Sequence, residues 1–328
     1  MKHLLYIILL SVCLVACDNE TDVLPFKSNI LNGFSVTSIA FDKLGNAWVG
    51  TNKQGLIRCN LNGSTTVFNS SNSIIPDNAV INDIAVDSKN NVWIGCNGII
   101  KYDGIKFTMY NSQNTLIPED NVKSIAIDSQ DNVWFTACQF KSGGIVKYDG
   151  TYWNVYTPSN SILPANLVNK ITVDKSDNVW LALTVFVNDS YLIKVSNNQW
   201  QQYSTKELGF SPYYVSDIKM NSKNKLFCSV DYSLSSTAVN KDPKLFSFDG
   251  ASSTQITDNA VNSVRNIMID NKDRVWCALK GGYALYDGKT WQYDLTTFAK
   301  DGVSTIKQAP DSRIWIGTGN GISIQDPF

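Results

Sequence analysis

The sequence predicts an all-β protein, a seven-bladed β-propeller of four-stranded antiparallel blades in which an N-terminal strand closes the last blade. Three observations support this prediction. A unit of short apolar segments recurs seven times, and its central aromatic residues are 45, 41, 46, 47, 49 and 39 residues apart. Periods near 40–45 residues are typical of propeller blades. Repeat 7 also stops after three strands, whereas a spare strand precedes repeat 1.

Residues 82–110 give the clearest copy of the unit. We predict four strands there, at 84–86, 92–95, 99–102 and 107–110. Turn formers occupy residues 87–91, and the pair Asp103-Gly104 precedes the fourth strand. The run Val92-Trp93-Ile94 is apolar at adjacent positions, so we expect neighbouring blades to cover both of its faces.

The seven repeats share one pattern: an apolar residue, a turn beginning with Asp three positions later, and an aromatic residue six positions after that Asp. The aromatic residues are Trp48, Trp93, Trp134, Trp180, Phe227, Trp276 and Trp315. The turn positions hold Asp42, Asp87, Asp128, Asp174, Asn221, Asp270 and Ala309. Calcium needs six to eight converging oxygens, and these carboxylates stand one per blade. We therefore interpret them as turn caps and predict no metal site.

The last blade lacks a fourth strand of its own. Residues 22–27 read as an isolated strand before repeat 1, whereas residues 28–31 resemble the loops between later strands. We predict that the strand at 22–27 pairs as the outer strand of blade 7, which removes an open edge.

The N-terminus is predicted to be a targeting segment. Residues 1–16 combine a short polar start with an apolar stretch and are excluded from the fold. The sequence Leu14-Val15-Ala16-Cys17 resembles the lipobox of bacterial lipoproteins. This resemblance implies lipidation of Cys17 and a tether over 17–21, and the repeats predict a single propeller domain over 22–328. It also implies a lipid-anchored protein of the bacterial cell envelope, and we expect the outer membrane.

Composition excludes several function classes. The formal net charge is −1 and no basic run occurs, so we predict no nucleic-acid partner. Five cysteines remain after Cys17, an odd number, and each lies in an apolar strand. We interpret them as small buried hydrophobes. The five are Cys59, Cys96, Cys138, Cys228 and Cys277.

The blade pattern resembles the two-component-regulator propeller repeat. Repeat 1 carries it as Asp42, Gly45-Asn46, Trp48, Gly50-Thr51 and Gly55-Leu56, and repeat 7 as Trp315, Gly317-Thr318 and Gly321-Ile322. The resemblance implies a sensor-type propeller of the bacterial periplasm, often one that senses glycans. Without a kinase segment, such a propeller acts alone or with a partner.

Loop asymmetry indicates where a ligand would bind. Loops joining the second and third strands share a face with the blade-to-blade connections, and we expect long ones at 137–144, 184–190 and 231–244. The connection at 207–214 adds aromatic residues. Loops on a rigid scaffold are where binding usually occurs. The predicted ligand-binding residues are Phe140, Lys141, Phe186, Asp189, Tyr191, Tyr213, Tyr214, Asp231 and Tyr232.

Three functions remain open at this stage. The only histidine, His3, lies in the targeting segment, so the commonest general base is missing from the predicted domain. Streptogramin lyases have similar repeats but depend on histidine. We favour a non-enzymatic module that binds a glycan or a peptide or protein, acting as a monomer without cofactor. The alternatives are a hydrolase or lyase that acts on a polysaccharide through carboxylates, and a scaffold subunit of an envelope complex.

Overall fold

A computed structural model describes residues 26–139, 141–185, 189–209, 214–231, 244–256, 261 and 264–326. Within them the chain forms seven four-stranded antiparallel sheets, so the predicted seven-bladed propeller is confirmed. No helix among these residues has both the length and the apolar character needed to cross a membrane.

Each blade follows the order of the sequence, apart from the outer strand of blade 7. Blades 1 and 2 comprise β2 (Val36–Phe41), β3 (Ala47–Thr51), β4 (Leu56–Cys59), β5 (Thr65–Phe68), β6 (Asp83–Val86), β7 (Val92–Cys96), β8 (Gly98–Tyr102) and β9 (Phe107–Tyr110). Blades 3 and 4 comprise β10 (Ile125–Ile127), β11 (Val133–Cys138), β12 (Gly143–Tyr148), β13 (Trp153–Tyr156), β14 (Val168–Val173), β15 (Val179–Val185), β16 (Asp189–Ser196) and β17 (Gln199–Ser204).

Blades 5 and 6 comprise β18 (Tyr214–Met220), β19 (Leu226–Asp231), β20 (Lys244–Phe248), β21 (Ser253–Gln255), β22 (Asn266–Ile269), β23 (Val275–Ala278), β24 (Tyr283–Tyr286) and β25 (Trp291–Asp294). Blade 7 comprises β26 (Val303–Gln308), β27 (Ile314–Thr318), β28 (Gly321–Gln325) and β1 (Phe26–Ile30).

The first strands of the seven blades contact one another in a closed ring and are therefore innermost. The second strands are buried on both faces, as expected; all five residues of β3, β7 and β27 are buried. One apolar cluster joins Trp48 and Leu56 of blade 1 to Ile84 and Ile94 of blade 2. The core thus lies between blades, as hydrophobic burial of both sheet faces requires.

The turn between the first and second strands is built around one carboxylate. In blade 2, Asp87 Oδ1 accepts the backbone N–H groups of Lys89 and Asn91, at 3.0 and 2.8 Å. Its Oδ2 accepts Asn91 Nδ2 at 2.7 Å and the indole Nε1 of Trp93 at 3.1 Å. The same indole bond recurs in blades 1, 3, 4 and 6, at 3.0–3.2 Å. These aspartates are therefore turn caps, as predicted, and also anchor the tryptophan.

These turns, together with those between third and fourth strands, form one side of the disc, here called the turn face. A series of hydrogen bonds on this face links each of blades 1 to 6 to the blade that follows it. The backbone N–H of the residue after the capping position donates to a side chain of the next blade, as from Ser88 to Asp131 at 2.7 Å. The other links are Lys43 to Asn90, Ser129 to Asp177, Lys175 to Asn224, Ser222 to Asp273 and Asn271 to Gln308.

The ring of seven blades is closed within blade 7 by β1, the first described strand. β1 pairs with β28 in antiparallel register, from Phe26 opposite Gln325 to Ile30 opposite Ile322. Closure by an N-terminal strand is therefore confirmed, but the predicted end of that strand was wrong. The strand continues through Ser28 to Ile30, which the sequence had suggested as a loop, and residues 22–25 lie outside the described residues. Pairing with β28 overrides the polar character of this segment.

The opposite side, here called the loop face, carries the second-to-third-strand loops and the blade-to-blade connections. Two of its loops are shorter than predicted because their strands extend further. In blade 3, β11 and β12 pair up to Cys138 opposite Gly143. In blade 4, β15 and β16 pair up to Val185 opposite Asp189. Of the predicted blade 5 loop, residues 232–243 lie outside the described part of the chain.

Candidate functional site

The structure places five of the nine predicted ligand-binding residues, all at the loop-face ends of blades 3 to 5. These five are Lys141, Asp189, Tyr191, Tyr214 and Asp231. The other four lie outside the described residues: Phe140, Phe186, Tyr213 and Tyr232. The side chains of Asp189 and Asp231 are not described either, although their backbones belong to β16 and β19.

Blade 4 offers an open cleft at this face. Its volume is about 650 Å³, and it is lined by Tyr191, Gln202, Ser204, Lys206 and Glu207. Tyr191 and Ser204 are partners in the β16–β17 pairing, so the sheet register holds an aromatic ring beside a hydroxyl. Gln202, Lys206 and Glu207 are exposed. The cleft therefore combines one aromatic side chain with hydrogen-bonding groups of both charges.

Blade 5 places an aromatic residue opposite an acidic one. Tyr214 begins β18 and pairs with Asp231, the last residue of β19. Both positions are at the loop-face end of their strands, and β18 contacts β15 of blade 4. Residues predicted from separate loops are therefore close neighbours through strand pairing rather than through loop length.

The blade 3 loop is held by a residue of the preceding connection. Gln139 N donates to Ser142 O at 2.9 Å, which closes a tight turn. The carboxylate of Glu119 accepts Gln139 Nε2 at 3.1 Å and the hydroxyl of Ser142. This pinned loop leaves Lys141 exposed. Its cation is presented at the rim of the loop face.

The segments at 71–76, 113–118 and 159–164 repeat one sequence pattern and form structural turns. Asn72 Oδ1 accepts Asn69 N at 3.0 Å, and Asn72 Nδ2 donates to Val67 O at 2.9 Å. Ile75 is completely buried. The same bonds recur around Asn114 and Asn160.

The groups that the structure describes on this face can form hydrogen bonds and aromatic contacts to a ligand. Within the described ranges, no three metal-ligating side chains come together. The catalytic alternative based on carboxylates remains a prediction, because the side chains of Asp189 and Asp231 are outside the description. Hydroxyl, amide and charged groups beside tyrosines suit recognition of a polar ligand with apolar surfaces.

Sequence reasoning missed a cluster of charges on the innermost strands. Asp217 is fully buried; its Oδ2 accepts Ile267 N and Asn266 Nδ2, both at 2.8 Å, and Lys219 Nζ lies 3.6 Å from its Oδ1. Burial lowers the pKa of Lys307, and the charge of Lys219 adds to this effect. The available signal was the position after the buried isoleucine of each first strand, which changes from alanine in blades 1–3 to lysine in blades 5 and 7.

Comparison with known proteins agrees with this architecture. The model of the family described as "Two component regulator propeller" matches residues 74–98, which include β6 and β7. No curated protein matches the sequence.

Solved structures share the fold at low sequence identity. The extracellular domain of BT4673 from B. thetaiotaomicron, described as a hybrid two component system, is 17% identical with a TM-score of 0.70. The match covers 92% of this chain but 40% of that one, so the chain spans well under half of that relative's length.

Two further propellers match over nearly their whole length. A catalytically inactive histidine-to-alanine variant of virginiamycin B lyase from Staphylococcus aureus, with quinupristin, is 13% identical, with a TM-score of 0.70 and coverage of 92% and 99%. YCF48 bound to D1 peptide is 11% identical, with a TM-score of 0.68 and coverage of 94% and 98%. The chain is therefore a seven-bladed propeller, and its segment at residues 74–98 matches the model of the two-component-regulator propeller repeat.

Proposed function

We propose that this protein is a non-enzymatic, ligand-binding propeller of the bacterial cell envelope, anchored through a lipid on Cys17. The observation that carries the binding role is the open loop-face cleft of blade 4. There Tyr191 stands beside the exposed groups of Gln202, Lys206 and Glu207. A rigid ring that presents such groups at one rim suits recognition, because little conformational entropy is lost when the ligand binds.

The ligand is a glycan or a peptide segment of a protein partner. Tyrosine faces and paired hydrogen-bonding groups serve both ligand types. Similar propellers support the choice: one belongs to an extracellular domain of a two component system, and another is described as bound to a peptide. The extracellular neighbour also supports a location outside the cytoplasm.

Binding is tested with the chain from Asp18 onward on a glycan array and a peptide library, followed by calorimetry on the best ligand. We expect Gln202→Ala with Lys206→Ala to weaken binding at least tenfold, and Lys141→Ala to weaken it less. Matched controls are Lys106→Ala and Lys289→Ala, exposed lysines of the turn face, which should leave affinity unchanged. Equal losses of affinity in the loop-face and turn-face variants, or no loss in the loop-face variants, would refute the loop-face assignment.

Two additional measurements test the rest of the proposal. Chromatography of the ligand after incubation should recover it intact, and product release lost in Asp189→Asn or Asp231→Asn would instead establish an enzyme. Replacement of Cys17 by Ser should move the protein from the membrane fraction to the soluble fraction. An unchanged distribution would refute the lipid anchor.

A further inference from the structure

A second cleft opens on the other side of the molecule, at the boundary between blades 7 and 1, here called the seam. Its volume is about 900 Å³. Apolar side chains of both blades line it, among them Phe41, Leu44, Leu61 and Trp315. Leu44 and Leu61 are 68% and 76% exposed, a high value for two leucines at one rim.

The seam lacks the link that joins the other blades on the turn face. The donor position is occupied by Pro310, which has no backbone N–H. The acceptor position, where blade 2 has Asn90, is occupied by Gly45 with a φ of 83°. Both halves of the hydrogen bond are therefore missing at one boundary, and both residues line the cleft.

The carboxylate of the first turn is missing at the same place. Ala309 stands where blade 6 has Asp270, and the indole Nε1 of Trp315 is buried without a hydrogen-bond partner. In the blades with aspartate, that nitrogen points at the carboxylate, so in blade 7 it points toward Ala309, which lines the cleft. Trp315 is only 8% exposed. An unpartnered buried donor destabilises the folded state, so a partner for it would be favourable.

Blade 6 supplies the template for what would complete this arrangement. There Asp270 Oδ2 accepts Arg274 Nε at 2.7 Å and Trp276 Nε1 at 3.0 Å. Blade 7 retains the arginine and the tryptophan at the same spacing, as Arg313 and Trp315. Without a carboxylate at Ala309, Arg313 Nε turns to Asp311 Oδ2 at 2.7 Å.

The surroundings of Trp315 are also more apolar than those of its counterparts. In blade 1, Arg58 lies over the Trp48 ring at 5.7 Å, and Phe68 stacks on that ring at 5.9 Å. Strand register places Ile324 and Ile30 at the corresponding positions of blade 7. The cleft therefore has apolar walls and, at its end, two donors suited to one carboxylate.

We propose that the seam cleft binds a ligand in which a carboxylate is attached to an apolar group. The carboxylate takes the place of the missing aspartate and accepts hydrogen bonds from Trp315 Nε1 and Arg313. The apolar group lies against Phe41, Leu44 and Leu61. Because the indole nitrogen is buried, a side chain must move on binding, and Arg313, 43% exposed, can leave Asp311 for the ligand.

The site is tested by NMR of the nine indole N–H groups in the chain from Asp18 onward. The Trp315 signal is assigned by its loss in Trp315→Phe. Octanoate should shift this signal saturably, with a Kd at least tenfold lower than that of either control. Acetate is the control that lacks the apolar chain, and octanol is the control that lacks the carboxylate. A second arm compares acetyl-Leu-Val-Leu carrying a free carboxylate with its amide, which distinguishes a peptide end from an acyl acid.

Two variants decide the assignment without removing the donors. Ala309→Asp supplies the missing carboxylate within the chain and should abolish the octanoate shift while retaining the fold. Gly45→Asn with Pro310→Ser restores the inter-blade link and should weaken binding at least threefold. An octanoate shift that survives in Ala309→Asp, or an equal response to octanol, would overturn the proposal.

Discussion

At the scale of single residues, the capping side chain of the first turn in blades 1 to 6 is matched to the aromatic residue six positions later. Where that residue is a tryptophan, as with Trp93, the cap is aspartate, which can accept both the turn and the indole bonds; blade 7, with Ala309 and Trp315, is the exception. Where blade 5 has Phe227, the cap is Asn221, whose single carbonyl oxygen accepts the two turn N–H groups. The pairing follows from the number of donors that the cap must satisfy.

This matching predicts a strong coupling between Asp87 and Trp93. Asp87→Asn should destabilise the fold by about 2 kcal/mol, because the amide nitrogen would face a buried indole N–H. The double variant with Trp93→Phe recreates the blade 5 combination and should be less destabilising than the sum of the single changes by about 1 kcal/mol. Urea unfolding measures both. Asn221→Asp is the control and should change stability little; strict additivity of the Asp87 and Trp93 variants would contradict the coupling.

The exposed aspartates of the third-to-fourth-strand turns predict a pH effect. Backbone N–H groups of Thr290 and Lys289, and the hydroxyl of Thr290, lower the pKa of Asp287 to about 2. A pKa lowered in the folded state favours the ionised form, so this turn's contribution to stability is complete above about pH 4 and is lost as the pH falls toward 2.

Carboxyl NMR titration measures this effect. Thr290→Val removes the hydroxyl but keeps the backbone bonds, so the pKa of Asp287 should rise toward its ordinary value. Asp103, which is also held by two backbone N–H groups, serves as the internal reference and should not move. An unchanged pKa of Asp287 in Thr290→Val would show that the hydroxyl of Thr290 does not lower this pKa.

At the scale of elements, β1 is the strand on which closure depends. A chain that begins at Phe26 should unfold at the same temperature as one that begins at Asp18. A chain that begins at Leu31 should melt at least 10 °C lower or associate, because β28 then presents an unpaired edge. Thermal unfolding and size-exclusion chromatography measure the two effects. A synthetic peptide covering residues 22–31 should restore the melting temperature and the monomeric state of the shortened chain. If the shortened chain neither melts at a lower temperature nor associates, closure by β1 is contradicted.

Strand positions were largely predictable because each repeat has turn-forming residues between its strands. The four strands predicted for blade 2 match β6 to β9 within one residue at each end. The limits of β1 were not predictable, because Ser28 and Asn29 have low strand propensity and pair only through the distant β28. The same holds for Asp189, which sequence suggested as a loop residue and which pairs with Val185.

The loop-face cleft and the seam cleft differ in how much of each could be predicted from the sequence. The loop-face cleft includes the predicted Tyr191, whereas Gln202 and Lys206 were missed because nothing in their local sequence marks the cleft. The seam was missed for another reason. Its signal is the absence of usual residues, at Ala309 and Gly45, and such an absence has meaning only after the partners in other blades are known.

At the scale of the whole molecule, the burial of all five thiols of the propeller predicts their reactivity. Each cysteine is free and buried. Burial raises the pKa of Cys59 to about 11 and that of Cys96 to about 12, so little reactive thiolate is present at neutral pH.

A thiol reagent should therefore modify fewer than one cysteine per native chain beginning at Asp18 and all five after unfolding in urea. The rate in the native protein should follow global opening, because these residues lie in cores shared by adjacent blades. The matched control is Lys141→Cys, an exposed position that should react at once. Rapid native modification of Cys96 or Cys228 would contradict the shared cores.

The pairing of β1 with β28 also has a consequence during synthesis. A nascent chain leaves the ribosome with β1 first, long before its partner exists. Blades 1 to 6 can each complete themselves from adjacent segments as they emerge, whereas β1 waits until β28 has been made. Pairing of these two strands is therefore the last step of assembly. A prematurely terminated polypeptide keeps an exposed sheet edge, which chaperones and proteases can recognise.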